Sequence, residues 1–288
     1  MAELTNSYWV FTFGGICVAF VQSVLTIYII HKYTIRASIW KKLEFQLILL
    51  RVVFDAFNGL LSFTYFTTSI PTLLYSEVVP FDVSFLIGLM GSNFLEMRSF
   101  LAAVIAIERV LATTIPVQFY RYRNRVSNWP IILLIVSTGV SCDVVLVGVC
   151  GLRLPLTPGC TNFACATPAC YQSYASASKV VYSSTNAVFS AILCYRLLML
   201  SWKRAQSPAD LRKANWLSLT DGLSTLSFDL LPSLLTDYHI IDIKGRGPVQ
   251  GVLRQTGRAV EAAVMVRLMK RDRVVTNVRL SVSGRHIL

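Results

Sequence analysis

The run YWVFTFGGICVAFVQSVLTIYII at residues 8–30 is followed at once by HKYTIRASIWKK at 31–42, and this pair of segments decides the fold. The first segment carries no Lys, Arg, Asp or Glu. As a helix it is long enough to cross a hydrocarbon core of about 30 Å. The second segment carries Lys32, Arg36, Lys41 and Lys42. The alternation then repeats. Further apolar spans lie near 45–70, 83–110, 129–150, 176–200, 215–237 and 248–268. The third loop holds Arg121, Arg123 and Arg125, and the fifth holds Lys203, Arg204, Arg212 and Lys213. The tail holds Lys270, Arg271, Arg273, Arg279 and Arg285. Every second connection is therefore basic, while the N-terminus and the second loop have no basic residue, the fourth loop has Arg153, and the sixth has Lys244 and Arg246. Positive charge stays on the cytoplasmic side. The sequence thus predicts an all-α membrane protein, a seven-transmembrane helix bundle with its N-terminus outside and its C-terminus inside.

Composition agrees. Apolar residues make up 54% of the 288 and charged ones 15%. The seven spans leave little for a second domain, so one membrane domain is expected over 1–270 with a short basic tail over 271–288. A net charge of +12 raises the question of a nucleic-acid partner. The basic residues sit at helix ends on one side, where anionic headgroups lie, so the lipid bilayer is the expected partner and nucleic acid is not. The first apolar run is too long for a signal core and is expected to be a retained helix. No Asn-x-Ser/Thr sequon occurs. No internal repeat is visible, which counts against transporter folds built from duplicated units.

Ionisable residues inside the spans are the candidate functional groups, because a bare charge at mid-membrane costs about 2.5–3.5 kcal/mol even on lenient insertion scales. Asp55 lies mid-span in LLRVVFDAFNGLL with Asn58 one turn on, and Arg254 or Arg258 of the seventh span could pair with it. That would make a polar switch between the second and seventh helices. Arg254, Arg258 and Glu261 are spaced four and three apart and share a helical face. Arg258 and Glu261 could also pair locally, and Val252, Val260, Val264 and Met265 are expected to face lipid. In the third span Glu96 and Arg98 are two apart, so each needs its own partner. The span closes with Glu108 and Arg109, an acid and an arginine that could pair and part as helices shift. The sixth span holds Asp221 and Asp229, both expected to face the bundle, and Pro232, which removes a backbone bond and should bend the helix into a hinge. Thr220, Ser224, Thr225 and Ser227 make that helix polar enough to line a cavity. Phe54, Phe57, Phe63, Tyr65 and Phe66 could line a ligand pocket or serve as core.

Of seven cysteines, Cys150, Cys160, Cys165 and Cys170 cluster in the fourth loop, where an oxidising exterior favours disulfides. Four cysteines allow three pairings, and spacing does not choose among them. Cys17, Cys142 and Cys194 lie within spans and are expected to be reduced packing residues. With no His in the loop, a metal site is not expected. The third span has no Cys at its outer end.

The block PGCTNFACATPACYQSY at 158–174, followed by an apolar fifth span, resembles the nematode serpentine chemoreceptors, most closely the class written Srbc. The run IAIERVLATTIPVQFYRYR at 105–123 is similar to that family's counterpart of the receptor Asp-Arg-Tyr motif. The resemblance covers roughly residues 8–270. It implies a rhodopsin-like G-protein-coupled receptor architecture, placement in the plasma membrane of sensory neuron cilia, an odorant or pheromone-like small-molecule ligand, and a heterotrimeric G protein as partner. Glu108 and Arg109 would take the motif's roles, with Val110 where many receptors have an aromatic. The last span lacks an Asn-Pro-x-x-Tyr motif and carries Arg254 and Arg258 instead.

A chemosensory receptor that binds an external chemical is therefore the expected function. No catalytic triad, nucleotide loop or cofactor motif is present, so neither an enzyme nor a cofactor is expected. The last span also lacks a mid-helix Lys that could hold retinal. The alternatives are a transporter or ion channel using Asp55, Glu96 and Arg254 as a polar path, which liposome flux would reveal, and a ligandless membrane scaffold.

Overall fold

A computed structural model describes residues 6–35, 43–74, 81–123, 125–152, 163–202, 209–237 and 249–283, and these are all-helical apart from short turns. In chain order the helices are α1 Asn6–Ile29, α2 Leu43–Leu74, α3 Phe81–Thr114, the short α4 Pro116–Arg123, and α5 Trp129–Asp143. They continue with the single turn α6 Phe163–Ala166, α7 Ala169–Trp202, α8 Ala209–Thr225, α9 Leu231–Asp237 and α10 Val249–Ser283. Three stretches widen into π-helix: Ile30–Ile35 after α1, Val144–Val149 after α5, and Leu226–Leu230 between α8 and α9. By length and composition alone, Trp9–Lys32, Gln46–Ile70 and Trp129–Val149 suffice to cross a membrane. Of the other long helices, α3 and α10 carry more charge, and α7, with only Lys179 and Arg196, is rich in Ser and Tyr.

Polarity is inverted relative to a soluble protein. Val10, Phe13, Leu133, Val144, Leu198 and Leu223 lie on the outside, each at least half exposed. Arg51, Asp55, Arg98, Asp221 and Arg258 are buried inside. Such an arrangement suits a chain whose surroundings are apolar and whose ionic groups must find one another.

Helix α3 is the axis, packing against α2, α5 and α7, while α1 packs on α2 and α10. Leu101, Ile105, Ile135, Leu217 and Met265 belong to one apolar core, and Phe85, Cys142, Leu146 and Tyr171 form a second. Gly222 and Gly257 permit close approaches between helices. A Cβ on Gly222 would sit 2.3 Å from Ser190 Oγ of α7, and one on Gly257 of α10 would sit 2.7 Å from Phe228 Cβ in the π-turn. The seventh-span stripe corrects one expectation: Met265 is buried, whereas Val260 is 47% exposed. Met265 stands four residues beyond Glu261 and continues the inward stripe.

One end of the bundle carries a disulfide, Cys150–Cys170. After the π-turn Cys150 N–H donates to Val145 O at 2.8 Å, and Gly151 at φ 66° ends the helix as only glycine does readily. That turn presents Cys150 to the first turn of α7. Cys160 lies outside the described residues, as does the side chain of Cys165. Cys142 is buried, but Cys17 and Cys194 are exposed on the outer face and do not pack the core. A mass map of the unreduced protein should show a peptide joining Cys150 to Cys170. Finding both as free thiols would contradict it.

Candidate functional site

Four helices bring buried ions to one place. On α2, Arg51 and Asp55 stand four apart and share a face. Arg98 comes from α3, Asp221 from α8, and Arg258 and Glu261 from α10. Asp55 Oδ1 accepts from Arg98 Nε at 2.6 Å and from Arg258 Nη1 at 2.8 Å. Arg98 Nη2 reaches Glu261 Oε2 at 2.9 Å and Asp221 Oδ1 at 3.4 Å. Arg51 Nη2 pairs with Asp221 Oδ1 at 2.6 Å and also with Glu261. Three guanidinium groups thus meet three carboxylates. Each buried ion costs several kcal/mol in desolvation unless compensated, and a neutral set with shared hydrogen bonds is the arrangement that a low-dielectric interior tolerates.

The network spreads outward by polar contacts. Asn186 of α7 donates to Asp221 Oδ2 at 3.3 Å, and Thr225 Oγ1 donates to Asp221 Oδ1 at 3.3 Å. Gln22 of α1 donates to the Asp55 carbonyl at 2.9 Å. Asn58 donates to Gly91 O of α3 at 3.2 Å and accepts from Gln255 of α10 at 3.0 Å. Gln255 also donates to Ser62. Asp229 lies 3.4 Å from Arg254 and 3.8 Å from Arg258. A small cavity of about 20 Å³ touches Thr26, Arg51, Asp55, Ser218, Arg258 and Glu261. It has room for a water, and Arg51 Nε and Arg258 Nε, both buried, have no hydrogen-bond partner.

These contacts settle several sequence expectations. Asp55 does meet the seventh span, through Arg258; Arg254 pairs with Asp229 instead. Arg258 and Glu261 do not pair with each other: Arg258 reaches Asp55 and Asp229, and Glu261 reaches Arg51 and Arg98. Arg98 finds its partners in Asp55, Asp221 and Glu261. Arg51 was not foreseen, although its spacing of four from Asp55 was the readable signal. Thr225 and Ser224 make helix contacts rather than line a cavity, with Ser224 donating to Gly257 O at 3.1 Å. The aromatics of α2 are dispersed: Phe54 and Phe66 are buried, Phe57 stacks on Phe94, and Tyr65 accepts from Phe163 N–H at 3.1 Å. Pro232 follows the π-turn, in which Leu231 N–H returns to Leu226 O, so the irregularity in this span lies just before the proline.

A second ionic site lies at the end of the bundle away from the disulfide. Glu108 and Arg109 are 3.8 Å apart, but the nearer partner of Glu108 is Arg123 of α4, at 2.7 Å. Arg123 is buried, donates to Val126 O at 3.2 Å, and also bonds Asn128, which in turn bonds Gln46 of α2. Arg109 is 2% exposed and so does not reach out to headgroups. The last helix of the site, α10, continues through Ser283.

An apolar exterior and an ionic interior describe a polytopic membrane protein, with Glu108 and Arg109 in the closing turns of its axial helix. The chain belongs to the serpentine type 7TM GPCR chemoreceptor Srbc family, whose model matches residues 4–273. This is a family of chemoreceptors and not of enzymes. No curated protein matches the chain.

Proposed function

We propose that the protein is a chemosensory G-protein-coupled receptor of the plasma membrane of sensory neuron cilia, with its N-terminus outside and its C-terminus inside. A small odorant or pheromone-like chemical enters from the disulfide end, and the Arg123 end engages a heterotrimeric G protein. The observation that carries this reading is the buried Glu108–Arg123 pair at the end of the axial helix, 2.7 Å long and tied onward to α2. Such a pair stabilises one arrangement of α3 and α4, and a ligand moves the balance only through a differential interaction with the two arrangements. The neutral Arg51-Arg98-Arg258 and Asp55-Asp221-Glu261 network joins α2, α3, α8 and α10, so movement at one helix changes partners at the others. The π-turn before Pro232 gives the sixth span a place to deform. Basic asymmetry supports the orientation.

Tagging both ends and staining intact and permeabilised cells tests this. The N-terminal tag should stain on intact cells and the C-terminal tag only after permeabilisation. Staining of the C-terminal tag on intact cells would sink the orientation and the receptor reading with it.

A further inference from the structure

We infer that the interior between α3, α5 and α7 near the disulfide end, centred on Glu96, is a recognition site for a small organic cation such as a protonated amine. The inference deepens the receptor reading, from which it takes the direction of ligand entry.

Glu96 is 5% exposed, and its Oε1 has no hydrogen-bond partner. It faces Ser178 and Lys179 of α7 and lies within electrostatic reach of Arg254 of α10. One turn earlier on the same face of α3, Asn93 donates to Asp143 Oδ1 at 2.8 Å, but its own Oδ1 is also buried without a donor. Around them Tyr171 OH lies 3.5 Å from Ser92 and Tyr174 OH 3.1 Å from Ser141, while Tyr182 packs edge-on against Phe100. Two buried acceptors thus lack donors. A buried acceptor left unpaired is costly, so the missing group is a donor.

Charge points the same way. The network of Arg51, Arg98 and Arg258 with Asp55, Asp221 and Glu261 is neutral by itself. Among the described residues around Glu96 and Arg254, what remains is Glu96, Asp143 and Asp229 against Lys179 and Arg254. Three carboxylates face two cations, one positive charge short. The tyrosine and phenylalanine rings give an organic cation apolar and cation–π contact. At about 1.5 Å per residue, Ser178 lies about 12 Å along α7 from Cys170.

Cys142, buried in this cluster with Glu96, Asp143, Tyr171 and Tyr174 around it, is a built-in reporter. Intact cells bearing the full chain are treated with a trimethylammonium methanethiosulfonate or its sulfonate analogue, and labelling of Cys142 is followed by mass mapping. After division by each reagent's rate with free thiol, the cation should label at least about tenfold faster than the anion, as expected of one uncompensated charge nearby. Its rate should saturate with concentration. Glu96→Gln, or Asp143→Asn if that variant fails to reach the surface, should bring the ratio to within about twofold, because one negative charge is removed. Equal or faster labelling by the sulfonate, or a ratio indifferent to both substitutions, would overturn the inference. So would absence of labelling at both Cys142 and an Asn93→Cys variant. Cation-selective labelling seen only from the other face, in permeabilised cells, would contradict the receptor orientation and leave the site standing.

Discussion

Arg98→Met is expected to lower the stability of the purified protein by about 3–5 kcal/mol, since removing one partner of a buried ionic set leaves an uncompensated charge inside. Asp55, Asp221 and Glu261 would then share two guanidinium groups instead of three. Adding Asp55→Leu restores neutrality, so the double variant should be more stable than Arg98→Met alone. Apolar replacement of a whole buried ion pair is often close to neutral. A thermal-melting double-mutant cycle in detergent measures this, and the coupling energy between the two positions should be at least about 1.5 kcal/mol. Additive losses at Arg98 and Asp55 would mean that the contact of 2.6 Å carries no energetic weight.

The second large effect concerns signalling. Arg123→Gln and Glu108→Gln should each raise basal activity about tenfold. A hydrogen bond to a charged group contributes about 1.5–3 kcal/mol, and about 1.4 kcal/mol is tenfold in an equilibrium. An exposed pair would give only a few-fold change, but Glu108 and Arg123 are both buried. Arg109→Ala should abolish the ligand response at matched surface expression. Basal activity in Arg123→Gln no higher than in the unaltered chain would exclude the pair as a restraint.

The helices were legible because apolar length speaks directly, and the inward stripe of α10 was legible because 254, 258 and 261 share a face. Partners across helices were not, since periodicity fixes a face but not which neighbour it meets. Glu108 illustrates this. Its sequence neighbour Arg109 suggested a pair, but consecutive residues in a helix point in different directions, and the closer partner came from fifteen residues on. Arg51 was hidden in an apolar run. The polar start of α7 at Ala169 obscured where that helix begins, because Tyr171 and Tyr174 meet Ser92 of α3 and Ser141 of α5 inside the bundle. The disulfide partner of Cys150 depended on the turn at Gly151, which spacing does not encode.

Nucleotide exchange by a heterotrimeric G protein on membranes bearing the full chain tests the receptor assignment most directly. Membranes with Arg123→Gln should accelerate exchange about tenfold over the unaltered chain, and adding Arg109→Ala should return it to background. Exchange that is indifferent to both substitutions, across the available G-protein classes and at equal surface expression, would contradict the account.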